Sequence, residues 1–125
     1  MTVIYSRNPI IEWDASIGKF IIYKSFVCVW SRPLIKLIEF EIEEGFKTDF
    51  ASIPRWARSI VPVVGKHIQP AVVHDWTYEK TVFGVEEKID ADTLFLEGMI
   101  YKNVIWPRRN IMYRSVRLGG TGRWN

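Results

Sequence analysis

After Glu97 the chain has no acidic residue, whereas Lys102, Arg108, Arg109, Arg114, Arg117 and Arg123 all follow it. A basic C-terminal third beside a more acidic middle suits contact with nucleic acid, an anionic polymer or an acidic protein face. It equally suits a solvated surface on which these cations pair with Glu41, Glu43, Glu44, Glu86 and Glu87. Cysteine is almost missing. Cys28 stands alone, so no intrachain disulfide can form, and its place in Phe26-Val27-Cys28-Val29-Trp30 predicts a buried thiol acting as a small hydrophobe. Long apolar runs are missing too. The most apolar segment, 20–30, is broken by Lys24 and Ser25 and is too short for a bilayer span. No basic region followed by an apolar stretch opens the chain, which argues against a cleaved signal. No membrane insertion is therefore expected, and the chain should be soluble in a cytoplasm or be carried in an assembly made there. Gly-rich phosphate loops, GxSxG and HExxH are absent, as are internal repeats and low-complexity linkers.

What is present is enough for a core. The chain of 125 residues is 48% hydrophobic and 14% aromatic, which fits one folded domain rather than a disordered segment. Residues 1–48 read as mainly β. Ile10-Ile11-Glu12-Trp13 and Lys19-Phe20-Ile21-Ile22-Tyr23 flank the polar, Gly-ended loop Asp14 to Gly18, a hairpin signature. A further strand, Phe26 to Trp30, precedes Ile35 to Ile42, whose near-alternation of apolar and polar residues predicts a half-exposed strand. Glu43-Glu44-Gly45 makes a turn before a last short strand, 46–48. Residues 49–120 read as mainly α. Ser52 caps a short helix with Pro54 in its first turn. A second helix begins near Gln69-Pro70 and runs to about Glu79, a third spans about 86–103, and a fourth starts at Trp106-Pro107 and stops at Gly119-Gly120. Strands followed by helices predict an α+β single domain, 1–125, in which a small N-terminal antiparallel sheet packs against three or four C-terminal helices.

The chemistry-bearing residues fall in the second half. Asp49 lies at the junction of strands and helices. His74 and Asp75 lie on the second helix, where His74 shares a face with Tyr78, and Asp92 lies on the third, on one face with Phe95 and Met99. Acids and imidazoles among core positions are rarely buried unless paired or bound to something. Three readings follow. A metal site would use Asp49, His74 and Asp92 as ligands for a divalent ion such as Zn, Mn or Mg, with a bound water as nucleophile. Metal-free acid–base chemistry would use His74 as a base held by Asp75 or Asp92. A structural network would make Asp49 a turn former and join His74 to Asp92 by a buried hydrogen bond. Arg55, Tyr78 and Arg117 are the candidate substrate-binding residues, the basic C-terminal helix holding an anionic substrate. His67, just ahead of the second helix, is expected at the surface.

The runs Thr48-Asp49-Phe50-Ala51-Ser52-Ile53-Pro54-Arg55, Ala71-Val72-Val73-His74-Asp75-Trp76-Thr77-Tyr78, Ala91-Asp92-Thr93-Leu94-Phe95 and Met112-Tyr113-Arg114-Ser115-Val116-Arg117, in this order, resemble the successive signatures of a small phage-encoded family of unknown function. The resemblance covers roughly residues 45 to 120. It implies origin in a tailed bacteriophage or prophage, and a place in the host bacterial cytoplasm or the virion. His74-Asp75 with Asp92 is also partly similar to HD-type metallohydrolases. Those need a further upstream His on another helix, and His67 is too close in the chain to serve. Two functions are thus expected: a metal-dependent hydrolase of the lytic cycle, or a non-catalytic virion or assembly protein whose partners are phage structural proteins.

Overall fold

The computed structural model describes residues 2–48 and 65–119. Six strands come first: β1 (Thr2–Tyr5), β2 (Ile11–Asp14), β3 (Lys19–Ile22), β4 (Phe26–Arg32), β5 (Ile35–Ile42) and β6 (Lys47–Thr48). Among the described residues three helices follow: α1 (Ile68–Glu79), α2 (Lys88–Tyr101) and α3 (Trp106–Gly119). This is the expected α+β order, with one refinement: the strands form two antiparallel three-stranded sheets, β1-β4-β5 and β2-β3-β6, rather than one. The short helix expected after Ser52 lies outside the described residues.

Local chemistry accounts for the hairpins. In the β2–β3 turn the Asp14 carboxylate accepts from the Ser16 amide at 2.9 Å and the Ser16 hydroxyl at 2.6 Å, and Gly18 takes the left-handed conformation at φ +66°. Those two bonds hold the exposed Asp14 carboxyl below its ordinary pKa. Along β5, Ile38, Phe40 and Ile42 are buried while Leu37, Glu39 and Glu41 face outward, the period of two read from the sequence. β1 was not expected as a strand. It pairs antiparallel with β4, Val3 opposite Trp30 and Tyr5 opposite Cys28, which buries Val3 and Tyr5.

The main core joins the β1-β4-β5 sheet to the helices. Phe26, Cys28, Trp30, Phe40 and Ile42 meet Val72, Val73 and Trp76 of α1 and Ala91 and Leu94 of α2. Trp76 stacks flat on Phe40 at 5.0 Å and gives its indole N–H to Glu43 at 2.7 Å, which anchors α1 on β5. α2 is the central helix, packed on α1, α3 and β1. A second cluster, Phe95, Met99, Val104, Met112 and Val116, fills the α2–α3 interface. Arg32 at the end of β4 pins the α1–α2 connection, donating to the Gly84 carbonyl at 3.0 Å and to Asp90 at 3.2 Å.

Candidate functional site

α1 forms because apolar residues recur through 68–79 and Pro70 falls in the first turn, where its missing N–H costs nothing. His74 and Tyr78, one turn apart, therefore project from the same side toward α2. The start of α2 is fixed by Asp90, which accepts from the Glu87 amide at 3.0 Å. Asp92 then lies on the buried face of α2 with Phe95 and Met99. Lys88 precedes Asp92 by one turn and reaches the same carboxylate. Arg117, in the last turn of α3, arrives from the third helix.

The other four side chains converge on Asp92, which is fully buried. Its Oδ1 accepts from His74 Nε2 at 2.7 Å and from the Tyr78 hydroxyl at 2.5 Å. Its Oδ2 accepts from Lys88 Nζ and from an Arg117 guanidinium nitrogen, each at 2.8 Å. Lys88 Nζ also donates to the Val116 carbonyl at 2.6 Å and to the Arg117 carbonyl at 3.2 Å. One ammonium thus neutralises Asp92 and caps the negative end of α3. His74 is further enclosed by the rings of Tyr78 and Phe95, at 4.2 and 4.8 Å between centroids.

Burial alone would push the Asp92 carboxyl up, but hydrogen bonds from His74, Lys88 and Tyr78 outweigh it and bring the pKa down from 3.8 to about 2. Asp92 is therefore an anion at neutral pH and accepts only, so His74 Nε2 carries the proton between them. Burial, and then the hydrogen bond to Asp92, push the Tyr78 phenol well above its ordinary range. The arrangement is an anion solvated by protein donors instead of water. A carboxylate offers about four lone-pair sites, and four donors occupy them. A metal ion taking Oδ2 would have to displace Lys88 or Arg117, and one taking Oδ1 would have to displace His74 or Tyr78. Among the described residues, no group of three or more His, Cys, Asp or Glu side chains is placed to hold a metal ion.

The structure brings together His74, Asp92, Tyr78 and Arg117. The carboxylate that His74 meets is Asp92 rather than its chain neighbour Asp75, which is half-buried on α1. Asp49 and Arg55 lie outside the described residues. His67 corrects an expectation: it is 3% exposed rather than at the surface, because the residues just ahead of α1 fold against the α2–α3 connection. Cys28 is buried and free, and burial raises its thiol to about 12. Sequence reasoning missed Lys88. Its signal was the four-residue spacing to Asp92, which on a helix places the two charges on adjacent turns.

Among the described residues no helix is long and apolar enough to cross a membrane. No curated protein and no solved structure matches the chain. Residues 30–116, which include His74, Tyr78, Lys88 and Asp92, match the family model described as a protein of unknown function (DUF1353), and the chain belongs to that family.

Proposed function

We propose that this protein is a non-catalytic assembly or virion component of a tailed bacteriophage or prophage, in which the buried Asp92 network locks the three helices into one rigid unit. The observation that carries this reading is the saturation of Asp92: four donors, two of them cationic, leave its oxygens no acceptor position for water, substrate or metal. His74 is 4% exposed, so its imidazole has little access to a substrate. Contact surface lies elsewhere. Leu34 is 99% and Phe83 78% exposed, and the Arg32 to Gly84 hydrogen bond brings their two loops together at one end of the β1-β4-β5 sheet. Exposed large apolar side chains at one end of a small domain suit a protein partner, here a phage structural protein.

The second reading, a metal-dependent hydrolase with Asp49, His74 and Asp92 as ligands and Asp75 in support, draws on the 2.7 Å contact between His74 and Asp92. It requires at least one of the four donors now bound to the carboxylate to leave. One preparation of untagged protein separates the two. Under the assembly reading, metal analysis after gel filtration without chelator finds no stoichiometric metal, the chain is found in purified particles, and Asp92→Asn loses stability. Stoichiometric metal that disappears in His74→Ala, with Asp92→Asn as stable as the parent, would replace it with the hydrolase reading.

A further inference from the structure

The outer face of the β1-β4-β5 sheet is open to solvent. α1 and α2 pack on its inner face, and the alternation that buries Ile38, Phe40 and Ile42 of β5 turns Leu37, Glu39 and Glu41 outward. Strand register carries this face across the sheet. Ile4 of β1 lies opposite Val29 of β4, Val29 lies opposite Glu39, and Val27 lies opposite Glu41. Leu37 is 65% exposed, Ile4 is exposed as well, and Val27 and Val29 are partly so. The result is an apolar strip, and the charges that border it, Glu39 and Glu41, are both acidic.

α3 carries the complement. Met112 and Val116 seat it on α2. At about 100° per residue, Arg114 lies on the opposite side of the helix from that pair, together with Pro107 and Leu118. All three are exposed, Leu118 by 89%, and so is Trp106 at the helix start. Every charged residue of α3 is an arginine. Its open side is therefore apolar at both ends and cationic between them. Lengths match too: the 14 residues of α3 and the 8 of β5 span about 21 Å of helix and about 27 Å of strand. Because α3 stands on the helical side of the sheet, its arginines cannot reach the outer face of their own molecule.

We infer that the open side of α3 docks on the outer face of the β1-β4-β5 sheet of a second copy of this chain, with Arg114 against Glu39 and Glu41 and the apolar ends of α3 on the Leu37 strip. Nucleic acid would satisfy the arginines but leave Trp106, Leu118 and the sheet face uncovered. A second copy covers both surfaces with one contact. The contact is heterologous. Two different surfaces meet, so each copy holds two neighbours, and repetition gives a ring or a filament. One helix covers a small area, so association is weak and depends on concentration. The contact lies apart from the Leu34 and Phe83 end and does not rest on the phage reading. Absence of the chain from particles would sink that reading and leave this contact standing.

Sedimentation velocity of the full chain over a range of concentrations at low salt tests it. The mean sedimentation coefficient should rise with concentration and fall back as salt screens the charge pairs. Two variants reverse one surface each: Glu39→Lys with Glu41→Lys, and Arg114→Glu. All three positions are exposed, so both variants should keep the parent's circular dichroism. Each should weaken association about tenfold or more, as like charges brought together do. The two variants mixed in equal amounts should associate again, because opposite charges then face each other at every contact. A chain that stays monomeric throughout, variants that associate like the parent, or a mixture that stays apart would overturn the contact. A monomeric chain that binds a single-stranded oligonucleotide, and loses it in Arg114→Glu, would overturn it in favour of nucleic acid.

Discussion

Asp92→Asn removes a charge from the centre of the helical layer while keeping the side chain's shape. The amide oxygen can stay with Lys88 and Arg117, and the amide nitrogen can turn to Tyr78 and His74, which accept by rotating the hydroxyl and switching tautomer. Hydrogen bonds can therefore largely re-form, and what is lost is the anion that holds two cations. The magnitude follows from linkage. A carboxyl shifted from 3.8 to about 2 gains nearly two pKa units, worth about 2 kcal/mol of stability at neutral pH at about 1.4 kcal/mol per unit. Removing one partner of a fully buried pair costs about 3–5 kcal/mol, but the Lys88 and Arg117 side chains are 23% and 36% exposed and water recovers part of the loss. We expect a destabilisation of about 2–3 kcal/mol. The sign with pH is fixed. The folded-state pKa is depressed, so this stability is fully present above 3.8, is lost as pH falls toward about 2, and the two proteins should converge there. Urea unfolding of both proteins at neutral and acid pH, followed by tryptophan fluorescence, measures it. A neutral-pH difference below about 0.5 kcal/mol, within the range of ordinary surface substitutions, or one that persists unchanged in acid, would refute the reasoning.

Four further outcomes follow from this network and from packing elsewhere in the fold. Lys88→Met should cost about 1–3 kcal/mol and should speed amide hydrogen exchange in the last turn of α3, because Lys88 holds the Val116 and Arg117 carbonyls; exchange unchanged there would mean the cap is unimportant. A Cβ at Gly98 would land on the Tyr5 hydroxyl and crowd Pro70, so Gly98→Ala should destabilise by about 1–3 kcal/mol as overpacking does. Tyr5→Phe, which deletes a buried hydroxyl with no partner among the described residues, should be neutral or stabilising alone and should relieve Gly98→Ala in a double-mutant cycle. Cys28, buried with its thiol raised to about 12, should react with thiol reagents only as fast as the protein unfolds; rapid labelling of the native protein would contradict its burial.

How much of this was legible in the chain depended on range. Alternation in β5, the Asp14 to Gly18 turn and the proline at the start of α1 all act within a few residues, and each element appeared where its pattern placed it. β1 is four residues long, too short for its own period to stand out, and it becomes a strand only because β4 offers it a hydrogen-bonding edge. The split into two sheets is likewise a matter of which edges meet. His67 looked like a surface residue because polarity ahead of a helix usually is, and its burial comes from the α2–α3 connection folding over it.

The Asp92 site divides along the same line. The sequence determined that His74 and Tyr78 share one helical face and that Asp92 sits among core positions, because a period of 3.6 residues fixes direction around a helix axis. It contained the Lys88 to Asp92 spacing as well. The tertiary structure alone decided that Asp92, and not Asp75, would receive His74. It alone decided that Arg117, 25 residues further along, would reach the same carboxylate. A helix face states which side is buried, but its partner is chosen by the packing of α2 between α1 and α3, and that packing turned an acid, a histidine, a phenol and two cations into one neutralised core.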